Sequence, residues 1–406
     1  MRRKKTYIYP NIGAFPRINL WVIFRRALRD DPILCSDRLF LYSSGRSALF
    51  AAMRACGLPP RSRILMPAFH CGVEVQAAML AGYEVDFYNI KRDLRIDFED
   101  LVRRVNKQSR ALFIIHYFGL MQEVDRAQEI CRAHRLILIE DCAHALYSSL
   151  LGKLAGRNGA FGVYSLRKSI GLPDGGALLC NSDGFRDPQT GEKSFEISLI
   201  KASVRSVLEY EAAFPGSMLA GLSRCVLSLR TARRDETRTA LRLGRDPGVR
   251  WQASGDSWEY RRRISGLSRG LLRKESYSTI VSRRRLNYHI LHEAVGGLPG
   301  VVANGWSLDD GACPLCYVID TDNRDRIARE LRRRNVSPYV FGALPHPLLP
   351  MNEFPHAAYL RTRLLGLPLH QQLSEQDLGR VVTEFRHVLG MERSVLLKSL
   401  NPEPHV

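Results

Sequence analysis

Three short stretches in the first half of the chain carry side chains that could act together on a small ligand. The first is Ser43-Ser44-Gly45-Arg46-Ser47, at the mouth of an apolar-patterned helix. Small residues let a backbone approach a ligand closely, and the open amides of a helix N-terminus favour an anion such as phosphate; a serine here is equally an ordinary N-cap. The second is Glu140-Asp141-Cys142-Ala143-His144. An acid at the end of a buried strand is poorly solvated and needs a cationic partner, such as the protonated ring nitrogen of a cofactor, unless it caps the next helix. His144, three residues on, either hydrogen-bonds the same ligand or serves the structure. The third is Ser165-Leu166-Arg167-Lys168, followed by Asp174-Gly175-Gly176. A lysine between apolar segments and a glycine pair is either a solvated surface amine or a buried one with a lowered pKa, and the second suits Schiff-base chemistry.

The elements that must position these stations alternate. Apolar spacing predicts helices over residues 46–56, 73–80, 97–105 and 124–134, and strands over 63–66, 83–90, 111–116 and 136–141. Such alternation means a mostly parallel sheet with helices on both faces, whose ligands bind beyond the carboxyl ends of the strands. His116 and Asp141 stand at such ends. Residues 184–277 break the rhythm and read as a basic insert, with helices expected over 198–208 and 218–229 and loop over 231–257. Order returns with helices at 283–295, 324–334 and 375–389 and strands at 316–319 and near 338–340. The expected division is a large domain, 1–285, and a smaller α+β domain, 286–406.

Composition bounds the rest. The chain has 406 residues, 45% hydrophobic and 25% charged, an ordinary globular profile rather than a disordered one. No run of eighteen apolar residues occurs, so no transmembrane helix is expected. The basic start, Met1-Arg2-Arg3-Lys4-Lys5, is followed by Pro10 and Pro16 rather than an apolar signal core. Nine cysteines lie scattered, which fits free thiols in a reducing cytoplasm. The net charge is +19, and residues 201–285 hold 19 Lys and Arg against 8 Asp and Glu. A positive field attracts phosphorylated small molecules, nucleic acid or anionic lipid. No nucleic-acid motif accompanies Arg261-Arg262-Arg263 or Arg283-Arg284-Arg285, which read as a solvated face or an anion dock. Cys313-Pro314-Leu315-Cys316 has metal-ligand spacing without a second pair and reads as core.

Taken in order, the stations resemble the DegT-type family of pyridoxal-phosphate (PLP) sugar aminotransferases, within the fold-type-I superfamily. The matching text is Ser44-Gly45-Arg46-Ser47-Ala48-Leu49, Ile64-Leu65-Met66-Pro67-Ala68-Phe69, His116-Tyr117-Phe118-Gly119, Ile139 to Ala145, Gly159-Ala160-Phe161-Gly162, Ser165 to Lys168 and Asp174-Gly175-Gly176, with Leu367-Pro368-Leu369-His370 farther on. The resemblance covers roughly residues 38–182 and 283–390. It implies that Lys168 holds PLP as a Schiff base and shuttles the substrate proton, and that Asp141 pairs with the pyridine nitrogen. It places His144 near the phenolic oxygen, and Ser44, Gly45, Arg46 and Ser165 at the phosphate. A flat side chain usually follows Pro67 to stack on the ring; Cys71 holds the expected place, which leaves Phe69 and His70, and His70 is taken for that role. Tyr339 and His346 fall where small-domain substrate contacts occur. The Asn-Tyr-Arg type segment that reaches the partner subunit's phosphate is not found, and the basic insert stands in its place.

The expected function is therefore a cytoplasmic, homodimeric PLP-dependent aminotransferase. It would turn a keto sugar, nucleotide-linked, into an amino sugar with glutamate as donor, feeding polysaccharide biosynthesis, with no nucleic-acid partner. A same-fold dehydratase would carry histidine in place of Lys168. The alternative is a non-catalytic fold-type-I protein whose basic insert binds nucleic acid or membrane.

Overall fold

The computed structural model describes residues 11–19, 31–182, 262–299, 301–303 and 308–390, with isolated positions at 22, 24–26, 204, 206–208, 211 and 223. Two of its strands, β4 (Ser109–Ile115) and β5 (Ile137–Asp141), are nearly continuous apolar runs because both faces of the sheet are covered. Before them come β1 (Leu39–Tyr42), α1 (Gly45–Ala55), β2 (Arg63–Pro67), α2 (Val73–Leu80), β3 (Glu84–Tyr88) and α3 (Phe98–Arg104). A 3-10 turn, Tyr117–Gly119, and α4 (Val124–His134) separate β4 from β5. A two-stranded ribbon, β6 (Ser149–Leu150) with β7 (Lys153–Leu154), precedes β8 (Phe161–Tyr164), the short helix α5 (Leu166–Ser169) and β9 (Gly176–Cys180).

The seven-stranded sheet has the order β1-β9-β8-β5-β4-β2-β3. Five strands from β8 to β3 run parallel, and β9 is antiparallel to both β8 and β1. Right-handed crossovers put α1 and α2 on one face and α3 and α4 on the other. The carboxyl ends of the parallel strands therefore open onto one edge, with the starts of α1 and α2 beside them. This is the expected mostly parallel α/β fold.

Two helices, α6 (Gly266–Leu271) and α7 (Tyr277–Val295), lead into the second sheet. That sheet is antiparallel: β10 (Val302–Ala303), β11 (Cys316–Asp320) and β12 (Leu364–Pro368). Between β11 and β12 lie α8 (Arg324–Arg333) and α9 (Pro355–Arg363), and α10 (Glu375–Val388) follows. Leu291, Val295, Ile327, Leu331, Val381 and Phe385 join a core with this sheet. The smaller unit is α+β, as expected, although α7 runs continuously across residue 285. The strand expected near 338–340 is only one bridge, Tyr339 to Gly366, on the edge of β12 away from β11. Helix α9 was not foreseen; Pro355 opens it at a first-turn position where the missing N–H is harmless.

The helices expected over 198–208 and 218–229 and the loop over 231–257 lie largely outside the described residues, as does the insert as a whole. No described helix is long and apolar enough to cross a membrane.

Candidate active site

A cavity of about 620 Å³ opens at the carboxyl edge of the large sheet. All three sequence stations reach it: Ser44, Gly45 and Arg46; Asp141 and His144; Ser165 and Lys168. β5 pairs with β8 so that Asp141 faces Val163, which brings the strand-end acid beside the strand that leads into Lys168.

At α1, Ser44 is the N-cap, and its hydroxyl accepts from the Ser47 amide at 3.2 Å. The N-cap alternative is thus observed, and capping leaves the amides of Gly45 and Arg46 in a first turn that has no helical acceptors. A Cβ on Gly45 would come within 3.1 Å of the Ser165 side chain, and one on Gly176 would overlap the Ser44 carbonyl. The loop is held there by Asp174, whose carboxylate accepts from the Ser265 hydroxyl at 2.6 Å and the Ser265 amide at 2.9 Å. The result is a close cradle of backbone and hydroxyl groups, with the shape and donors an anion requires.

Asp141 is buried and, among the described residues, accepts one hydrogen bond, from the Ala143 amide at 2.9 Å. Burial, and then the charge of Glu74, push its carboxyl up to about 7; the Ala143 amide and Lys168 oppose this. A carboxylate so short of donors favours an arriving cation. Lys168 lies on α5, and its amine donates to the Tyr339 hydroxyl at 3.3 Å. Burial lowers its pKa, while Cys71, Asp141 and Glu74 act the other way.

His144 stacks on Phe118, with centroids 5.3 Å apart and planes 18° from parallel. Its Nδ1 accepts from the Phe118 amide at 3.4 Å, and its Nε2 lies 2.9 Å from the Tyr339 hydroxyl. Burial holds it well below its usual pKa. The neutral ring with Nδ1 accepting carries its proton on Nε2 and donates to Tyr339. Tyr339, expected at the substrate, is thus the hinge of a His144–Tyr339–Lys168 chain.

Two expectations are corrected. His70 does not line the cavity. It is fully buried, stacked on Phe87 at 5.4 Å, and its neighbour Cys71 faces the cavity instead. His346 is also buried off the cavity, where its Nδ1 accepts from the Leu348 amide at 3.3 Å.

Four side chains were missed. Arg284 is fully buried and donates to the carbonyls of Lys168 at 3.3 Å, Ser169 at 3.4 Å and Pro314 at 3.1 Å, and to Gln371 at 3.0 Å. It is no solvated face; it ties the Lys168 helix to the second domain. Its signal was the buried stripe Ile280, Arg284, Asn287, Leu291 and Val295, obscured by two polar members. Arg361 similarly spans the carbonyls of Ala68 at 2.7 Å and His70 at 2.8 Å and that of Gly342, fixing the loop over the cavity. Arg329 and Arg332 from α8 line the opening. Exposed arginines on a helix carry no sequence signal for this.

His116, Glu140 and Cys142 lie close enough to hold a metal. Glu140 is, however, already satisfied by the amides of Gly156, Asn158 and Gly159 and by His116 Nε2 at 3.0 Å. Cys313 and Cys316 are buried in separate apolar clusters.

The fold is that of the fold-type-I aminotransferases. A solved structure of Helicobacter pylori PseC, an aminotransferase involved in the biosynthesis of pseudoaminic acid, superposes with a TM-score of 0.66 at 16% identity, covering 94% of this chain and 99% of that one. Residues 40–192 match the sequence model of the DegT/DnrJ/EryC1/StrS aminotransferase family. GDP-perosamine synthase of Vibrio cholerae is 31% identical over 144 residues, 35% of this chain and 39% of that protein. A pleiotropic regulatory protein of Geobacillus stearothermophilus is 23% identical over 363 residues, 85% of this chain and 84% of that protein.

Proposed function

We propose that this protein is a PLP-dependent aminotransferase that converts a keto sugar, nucleotide-linked, into an amino sugar, with glutamate as donor. The observation that carries the reading is the meeting of Lys168, Asp141 and the first turn of α1 in one cavity. The residues present fit the cofactor. The Gly45–Ser165 cradle and the α1 amides suit its phosphate, Asp141 lacks a cation, and the Lys168 amine reaches the cavity with a lowered pKa.

When bound, PLP supplies an aldehyde for the lysine and an electron-accepting ring. Lys168 Nζ would take the proton from the donor's α-carbon and deliver it to the cofactor, and would run the same transfer backwards on the keto sugar. Asp141 holds the proton of the ring nitrogen. His144 keeps Tyr339 oriented by donating from Nε2, and Tyr339 in turn holds the lysine amine. Arg284 fixes the backbone of Lys168. Arg329 and Arg332 at the opening, with Arg46 and Arg167, supply positive charge for an anionic group on the substrate, such as a diphosphate. The GDP-linked product in the name of the Vibrio relative agrees with a nucleotide-sugar substrate. Such sites are built at a subunit interface, so a homodimer is expected.

The test is a two-stage assay. PLP-loaded protein should lose its near-visible band on adding glutamate and regain it on adding a keto-sugar nucleotide, with ping-pong kinetics. A protein that takes up no PLP would contradict the reading.

A further inference from the structure

Glu74 lies in the first turn of α2, behind Gly72, whose left-handed φ of 89° offers no side-chain cap. The carboxylate lines the cavity and is only 2% exposed. Among the described residues it accepts hydrogen bonds from the Cys71 thiol alone, at 3.1 and 3.2 Å. A thiol is a weak donor, and a buried carboxylate with no better partner needs a cation.

The charged and titratable groups that act on or respond to Glu74 come from every neighbouring element. They are Cys71 from its own segment, Asp141 from β5, Lys168 from α5, Tyr117 after β4, Tyr339 from the loop between α8 and α9, and Arg361 from α9. Arg167 and His144 add to the surroundings of Lys168. Two of these groups are cations; among the described residues neither forms an ion pair with Glu74, and Lys168 shares its cavity. Arg361's terminal nitrogens are taken by three carbonyls, while its Nε has no partner among the described residues. Lys168 has a single hydroxyl. The Cys71 thiol is held far above its ordinary range by burial and by Glu74, so it stays neutral. That leaves Asp141 and Glu74 as the anions that favour a charged Lys168. Asp141 faces the ring nitrogen once the cofactor is bound, on the reading above.

We propose that the Glu74 carboxylate is the counter-ion of the Lys168 ammonium, holding the proton on Nζ between transfers. Cys71, standing where an aromatic plate was expected, orients that carboxylate through its S–H. The inference rests on the proposed cofactor.

The test follows the pH dependence of cofactor attachment to Lys168. Protein is mixed with PLP at a series of pH values and reduced with borohydride, and the fraction labelled at Lys168 is read by peptide mass spectrometry. Removing an anion makes the ammonium harder to hold, so Glu74→Gln should label at lower pH, with the midpoint falling by about 1 pH unit. Asp141 responds oppositely, ionising more readily without Glu74, so the same shift should be larger in an Asp141→Asn background. Glu74→Asp, which keeps the charge, should restore most of the wild-type midpoint. Glu74→Ala serves as the neutral variant if the glutamine form does not fold. A midpoint that stays put in the neutral variants, whatever their melting temperature, overturns the counter-ion role while leaving the cofactor reading intact. Absence of label at Lys168 in the wild-type protein overturns both.

Discussion

Glu140 and Asp141 are consecutive carboxylates on one strand, both buried, with opposite surroundings. Glu140 collects three backbone amides, the Asn158 side chain and a histidine. Burial opposes its ionisation, but His116 and the Gly159 and Gly156 amides outweigh it and lower its pKa. Asp141 has one amide and a like charge nearby, and its pKa rises to about 7. The sheet turns one acid toward a loop that saturates it and the other toward a cavity that does not. The difference teaches that a buried acid belongs to the architecture when its donors are complete, and to a ligand when they are missing.

Replacing each acid in turn would sharpen that contrast. On the proposed reading, in which Asp141 is the anion of the ring nitrogen, Asp141→Asn should reduce turnover about 1000-fold. Its stability should move the other way. A folded carboxyl raised above its unfolded value contributes stability that is present at low pH and is lost as pH climbs through about 7. The cofactor-free wild type should therefore lose melting temperature between acid and neutral pH relative to Asp141→Asn, which removes that slope; parallel melting curves would break the comparison. Glu140→Gln should do the reverse. It should cost about 3 kcal/mol in denaturant unfolding, by leaving buried donors unmatched, with little change in PLP affinity of the folded fraction. A stable Glu140→Gln protein that had lost PLP would make Glu140 part of the site.

The sheet was legible because β4 and β5 are nearly continuous apolar runs, and the cavity because Asp141 ends one strand and Lys168 follows another. Arg284 was misread because a run of three arginines is ordinarily a wetted face, and only the helix's full length shows that every third or fourth residue is buried. Glu74 gave no signal at all. An acid in a first helical turn is favoured for the helix dipole alone, so its type and place say nothing about a cavity. His70 and Cys71 could not be told apart in sequence, because the strand has ended at Pro67 and side-chain alternation no longer decides which residue faces the opening.

The central claim is that one lysine of this chain carries the cofactor. Borohydride reduction of PLP-treated protein, followed by peptide mapping, tests it directly. The account predicts a single pyridoxyl mass addition on Lys168, absent in Lys168→Ala. Label spread over surface lysines, or undiminished in that variant, would contradict it.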